Sequence, residues 1–201
     1  MSDSPSPKDA PNAPLIAPNR RGSVFGLSFE PARFEVERPV HVTPPTSLFG
    51  SDLVVETLRE LDIPFVAMTA DPALGELNDS LVNYLGNTRP QLLSCLDEET
   101  ALDIALGYAR VSGRPMAVAL GQTTQVTPGT PLAVAQREAL PLMVLQSGAT
   151  PGEPAAQHLL ADFAPEGPAE ARYAILQANR MAQALPQGPV RVTLTPAVQR
   201  A

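Results

Sequence analysis

Five short apolar runs, each followed or preceded by an amphipathic stretch, set the terms for how this chain can fold. Phe65-Val66-Ala67-Met68, Gln91 to Leu96, Met116 to Leu120, Leu142 to Leu145 and Val190 to Leu194 are too short for buried helices and read as strands buried on both faces. Between them lie segments with helical spacing. Ser51 is placed to cap a helix to about Leu61, with Leu53, Val54, Leu58 and Leu61 on one face. Leu74, Leu77, Leu81 and Leu85 mark a second helix, ended by Gly86-Asn87. Glu98 to Val111, closed by Gly113, is a third; Leu132 to Ala139 and Ala169 to Leu185 are the others, with Gln146 to Pro168 mostly loop. Strand and helix alternating in this way predict an α/β fold, an open parallel sheet with helices on both faces. Such sheets carry their sites at the carboxyl ends of the strands. The loops to inspect are Thr69–Ala73, Asp97–Glu99, Gly121–Gly129 and Gln146–Gly152.

Composition narrows the function. The 201 residues suffice for one ordinary domain plus a tail. A net charge of −7 argues against a nucleic-acid partner, because phosphate binding needs a basic surface. No 18-residue apolar stretch exists to span a membrane, and Met1-Ser2-Asp3-Ser4-Pro5 lacks the basic start and apolar core of a secretory signal. The single cysteine, Cys95, excludes an internal disulfide and reads as a buried thiol in a cytoplasmic protein.

The N-terminal quarter differs from the rest. Residues 1–22 hold five prolines and little to bury, which predicts a disordered tail. Residues 23–45 hold three of the six phenylalanines with Val24, Val36, Val40 and Val42, while Pro31, Pro39, Pro44 and Pro45 forbid a helix. An extended apolar arm of this kind is expected to pack on its own domain or clasp a partner chain, with a flexible tail as the remaining reading. The regular domain then occupies residues 46–201.

The densest cluster of chemistry is the junction Cys95-Leu96-Asp97-Glu98-Glu99, which opens an Ala-rich helix carrying Ala101, Ile104, Ala105 and Tyr108 at helical spacing. The plain reading of the three acids is structural: Asp97 is a good N-cap and acids in a first turn favour the helix dipole. The junction gains meaning from its surroundings. Gly107-Tyr108-Ala109-Arg110 follows nine residues after Glu98, and Gly113-Arg114-Pro115 leads into the next strand. Leu140-Pro141-Leu142-Met143-Val144-Leu145 and Gln187-Gly188-Pro189-Val190-Arg191-Val192 come later, in that order.

This ordered set, over about residues 46–198, resembles the N-terminal, pyrimidine-binding domain of thiamine diphosphate enzymes of the acetolactate synthase and 2-oxoacid decarboxylase superfamily. Leu77-Asn78-Asp79-Ser80-Leu81-Val82-Asn83-Tyr84 is similar to a synthase-like branch of it. The resemblance implies that Glu98 is the cofactor-activating glutamate. Its carboxyl, hydrogen-bonded to N1′ of the aminopyrimidine, favours the imino tautomer whose imine takes the proton from thiazolium C2. Glu99, one residue late for that register, is a helix-start or interface acid, or exchanges roles with Glu98. Asp71, Gln122, Thr123 and Gln125 are the implied cofactor-binding residues; no metal ligand is expected on this chain.

The family also has a second domain, which binds the diphosphate through a metal by a Gly-Asp-Gly start and an Asn-bearing end, and nothing here matches it. The resemblance therefore implies the small subunit of a split enzyme. Its partner is a diphosphate-binding chain that holds Mg2+, the assembly is an α2β2-type heterotetramer, and the substrate is a small 2-oxoacid or acyl compound. The alternative is a non-catalytic scaffold or regulatory subunit that keeps the fold and the pairing surface. Gly121-Gln122-Thr123-Thr124-Gln125 offers amides and hydroxyls where relatives have more glycine, and Asp97 stands where relatives often have His. The two histidines, His41 and His158, read as surface residues.

Overall fold

A computed structural model describes residues 49–121, 131–148 and 154–200. The expected arm and tail at 1–45, His41, and the loop residues Gln122, Thr123 and Gln125 lie outside the described residues. The elements in chain order are α1 (Gly50–Glu60), β1 (Phe65–Thr69), α2 (Gly75–Asp79), β2 (Gln91–Cys95), α3 (Glu98–Ser112), β3 (Ala117–Leu120) and α4 (Pro131–Arg137), then β4 (Leu142–Gln146), β5 (Ala161–Phe163), α5 (Pro168–Gln183), β6 (Pro189–Thr193) and α6 (Pro196–Arg200). The six strands form one parallel sheet in the order β2-β1-β3-β4-β6-β5. The chain steps outward from β1 to β2, then returns past β1 to β3. The order therefore reverses at the β1/β3 boundary, where open α/β sheets leave a crevice beyond the strand ends.

Alternate residues of each central strand feed two cores. Val66, Met68, Ala117, Ala119, Met143, Leu145, Val190 and Val192 meet α1, α2, α5 and α6 on one face. Ala67, Val118, Leu120, Leu142 and Val144 meet α3 and α4 on the other. Helices on both faces are what the buried apolar strands require, because a parallel sheet has no face to give to water.

Several local expectations change. Helix α1 begins one residue before Ser51, and it is Asp52 that accepts the N–H of Phe49, at 3.1 Å. Ser51 is instead buried, its hydroxyl hydrogen-bonded to that of Ser80 at 2.8 Å. The expected helix over Leu74–Leu85 is a 3-10 turn (Pro72–Leu74), α2, and a π turn (Ser80–Tyr84) closed by Leu85 N–H to Ser80 O at 3.0 Å. The leucine spacing explains the wide turn. Four-residue steps overshoot a 3.6-residue turn by about 40° each, and a wider turn takes up that drift so that Leu77, Leu81 and Leu85 all stay buried. Helix α3 buries Ala101, Leu102, Ala105, Leu106 and Ala109, leaving Ile104 on the exposed side, and closes on Gly113 at φ 67°, a left-handed cap suited to glycine.

The region expected to be mostly loop, Gln146–Pro168, contains β5. Three residues of strand with mixed exposure leave no periodicity to read. β2 is an edge strand rather than a doubly buried one, so Cys95 is half-buried instead of buried, and Leu96, just past its end, is 99% exposed.

Candidate active site

The carboxyl ends of β1, β2 and β3 converge on one point. β2 ends at Cys95, two residues pass, and α3 starts at Glu98. Asp97 is extended (φ −145°, ψ 168°) and its carboxylate accepts the N–H of Thr100 at 2.7 Å, so the helix start is fixed from within. That bond holds the Asp97 carboxyl below the usual carboxylate range. The cap leaves Glu98 at the first helical position, half-buried, with Glu99 exposed beside it.

Glu98 reaches across β1 to the end of β3, where the N–H of Gly121 donates to its Oε1 at 3.0 Å. Asp71, from the turn after β1, closes the third side. Its Oδ1 accepts the N–H of Ala73 at 2.7 Å, capping the 3-10 turn. Its Oδ2 lies 1.9 Å from where a Cβ on Gly121 would stand. Glycine is thus required at 121 by close approach of a side chain, not by backbone angle. Two carboxylates and one backbone donor gather at the reversal of strand order, reached from the α3 face. Of the candidate site residues, Glu98 and Asp71 meet here.

Cys95 stands at the same edge. Burial, helped by the negative charge of Asp97, pushes its thiol up, which disfavours the thiolate. His158 is held in a polar cluster with Gln136 (Nδ1 to Oε1, 3.1 Å) and Gln157. Among the described residues, no three His, Cys, Asp or Glu side chains group as metal ligands would. No helix there is long and apolar enough to cross a membrane.

Two polar features were not anticipated. Arg191, in the middle of β6, is 2% exposed and binds Asp162 of β5 through Nε (3.0 Å) and a terminal nitrogen (2.6 Å), and Gln146 of β4 at 2.9 Å. A lone cation inside an apolar run is itself a signal that a buried anion must be near, but its partner sat in a strand that the sequence did not reveal. The other is a cleft of about 320 Å³ at the start of α1, lined by Phe49, Ser51, Asp52, Glu76, Asp79, Ser80, Asn83 and Tyr84. Ser80 donates to Asp52 at 2.8 Å, and Tyr84 donates to Glu56. Burial first, then that carboxylate, push the Tyr84 phenol up to about 12.

Comparison with known proteins bears on this arrangement. Residues 49–162, more than half of the chain, match the family model for the thiamine pyrophosphate enzyme, N-terminal TPP binding domain. No curated protein matches. Among solved structures, a Mycobacterium smegmatis protein provisionally assigned as a thiamin diphosphate-dependent enzyme superposes with TM-score 0.61 at 20% identity, over 75% of this chain and 31% of that one. Benzoylformate decarboxylase from Polynucleobacter necessarius superposes with TM-score 0.60 at 18% identity, over 77% of this chain and 31% of that one. These likenesses are of fold, and the chain spans about a third of the length of either protein. The chain belongs to the thiamine pyrophosphate enzyme family, through its N-terminal TPP binding domain.

Proposed function

We propose that this chain is the pyrimidine-activating subunit of a split thiamine diphosphate-dependent lyase or carboligase, working in the cytoplasm on a small 2-oxoacid or acyl substrate. The observation that carries the reading is Glu98: a half-buried carboxylate on rigid backbone at the strand-order reversal, held by the Gly121 N–H. The donor set fits the pyrimidine end of the cofactor. A carboxylate on the rigid start of a helix suits a ring nitrogen. Bound there, the cofactor supplies the electron sink for making or breaking a C–C bond next to a carbonyl.

The chain's own groups do the rest. Glu98 exchanges a hydrogen bond or a proton with the ring nitrogen, and Asp97 fixes the helix start that aims it. By the family resemblance, Asp71 and the 122–125 segment (Gln122, Thr123 and Gln125) would supply polar groups to the ring. Mg2+ and the diphosphate belong to a partner chain in an α2β2-type assembly. The exposed side of α3 supports such pairing: Ile104 and Val111, seven residues apart on one side of the helix, are 39% and 91% exposed, and Leu96, in the turn before it, is 99% exposed. Apolar groups left in water along one helix face mark an interaction surface.

The test is co-expression with a chain carrying the diphosphate-binding domain, followed by turnover of small 2-oxoacids. Glu98→Gln should lower turnover by about 10²–10⁴-fold, the span of general acid–base catalysis. Equal turnover in both would reject the catalytic role and leave a scaffold subunit.

A further inference from the structure

We infer that Gln199 is a positioning residue for the site: its side chain clasps the turn that carries Asp71 to the far half of the sheet. The inference rests on the reading above only in giving Asp71 a place beside the cofactor ring. Gln199 lies in α6, the short helix that follows β6, and is 2% exposed. Its Nε2 carries two protons and donates to two backbone carbonyls, Ala73 O at 3.1 Å and Leu194 O at 3.2 Å. Ala73 belongs to the turn after β1, and Leu194 is the residue after β6. Two strands, β3 and β4, stand between β1 and β6 in the sheet. The amide therefore joins two segments that no strand pairing joins, across the carboxyl ends of β3 and β4.

The turn's other hydrogen bonds are its own. Asp71 Oδ1 accepts the Ala73 N–H at 2.7 Å, and the Leu74 N–H donates to Asp71 O at 3.0 Å. These bonds fix the shape of the turn and leave its place to be set from outside. Buried Leu74 anchors its far end. Among the described residues, the bond from Gln199 is the one hydrogen bond that ties residues 71–74 to another element. Arg200, next in α6, also meets Glu76 at 2.5 Å, but that arginine is largely exposed and the pair is weakened by water. The other end of the clasp is firm, because the Leu194 N–H donates to Gln146 O of β4 at 2.8 Å. The Oε1 of Gln199 is buried and meets no donor among the described residues. An unpartnered acceptor in the interior is unfavourable, and an apolar side chain of similar length would avoid it. What the amide contributes in return is its two donors.

The experiment is amide hydrogen exchange by NMR on the ¹⁵N-labelled full chain, with Gln199→Met as the variant. The Ala73 and Leu74 amides should exchange about tenfold faster than in the wild type, while those of β3 and β4 keep their protection. The Tm should move by less than about 4 °C, because losing the donor to Leu194 O is offset by losing the unpartnered Oε1. In the complex with a diphosphate-binding chain, half-maximal turnover should need about tenfold more thiamine diphosphate, with kcat at saturation within about twofold. Three results would overturn the proposal: unchanged exchange at Ala73 and Leu74, unchanged half-saturation in an active complex, or a larger fall in Tm with faster exchange throughout the sheet. If Gln199→Met does not fold, the wild type decides. Its Gln199 Nε2 protons should exchange at least about tenfold more slowly than those of exposed Gln91, and equal rates would end the inference. Failure of the wild-type complex to bind thiamine diphosphate, with these exchange results intact, would count against the proposed function alone.

Discussion

The two halves of the sheet hold their carboxylates by different means. On the β2-β1-β3 side, each acid at the strand ends is met by backbone: Asp97 by Thr100 N–H, Asp71 by Ala73 N–H, Glu98 by Gly121 N–H. On the β4-β6-β5 side, Asp162 is met by the guanidinium of Arg191, which Gln146 also binds. A guanidinium neutralises its partner and locks two strands together. A backbone N–H orients a carboxylate while leaving its charge in place. The first arrangement suits an edge strand that must stay in register; the second suits a site whose carboxylates must still act on a ligand. Between them stands Glu56, held by the phenol of Tyr84.

If that contrast is right, the largest effect comes from the guanidinium. Arg191→Met should cost about 2–4 kcal/mol in urea unfolding, below the full cost of breaking a buried pair because Asp162 is partly exposed. Replacing Asp162 by Leu in the same chain should recover much of it. A loss no larger than that of an ordinary surface change would show that the lock is not one.

Tyr84→Phe comes next, at about 1–2 kcal/mol for a hydrogen bond to a charged group. Its sign with pH is set by the raised phenol. The neutral form is favoured in the fold, so the contribution is complete below pH 10 and is lost as pH rises through about 12. Unfolding free energies of wild type and Tyr84→Phe should therefore converge over that alkaline window.

Glu98→Gln should change stability by less than about 1 kcal/mol, the scale of one acid at a helix start. A large destabilisation, read by thermal melting, would make Glu98 a structural acid and erase the distinction between the halves. The smallest effect belongs to Asp97, which is exposed. Its carboxyl is held low by the Thr100 bond, so its help to α3 is present above the ordinary aspartate range and is lost as pH falls through its lowered value. The protection of the Thr100 amide, its exchange measured against the intrinsic rate at each pH, should fall in acid in the wild type, and Asp97→Ala should remove that dependence.

The α/β class, five of six strands and the larger helices were legible because apolar runs of four to six residues and leucines at helical spacing reflect one-dimensional rules of burial. The position of Glu98 at the start of α3 was legible too, through the acid-capped pattern that begins at Asp97. The β5 strand was not: three residues, one of them an aspartate paired with Arg191, are too short a run to show a period. The same limit explains Cys95 and Leu96. The run Gln91–Leu96 looks as apolar as a central strand, but whether a strand is central or at an edge is a property of sheet order.

Residue order thus determined which segments become strands and helices, and where an acid-capped helix begins. Periodicity and capping act within a few residues, so they can be read along the chain. Tertiary structure decided what those acids face. The strand order places β1 between β2 and β3, which brings Glu98 to Gly121, 23 positions away in sequence. It also sets Asp71 against the same glycine, fifty residues apart. No local rule encodes those meetings, because they follow from how the sheet is assembled.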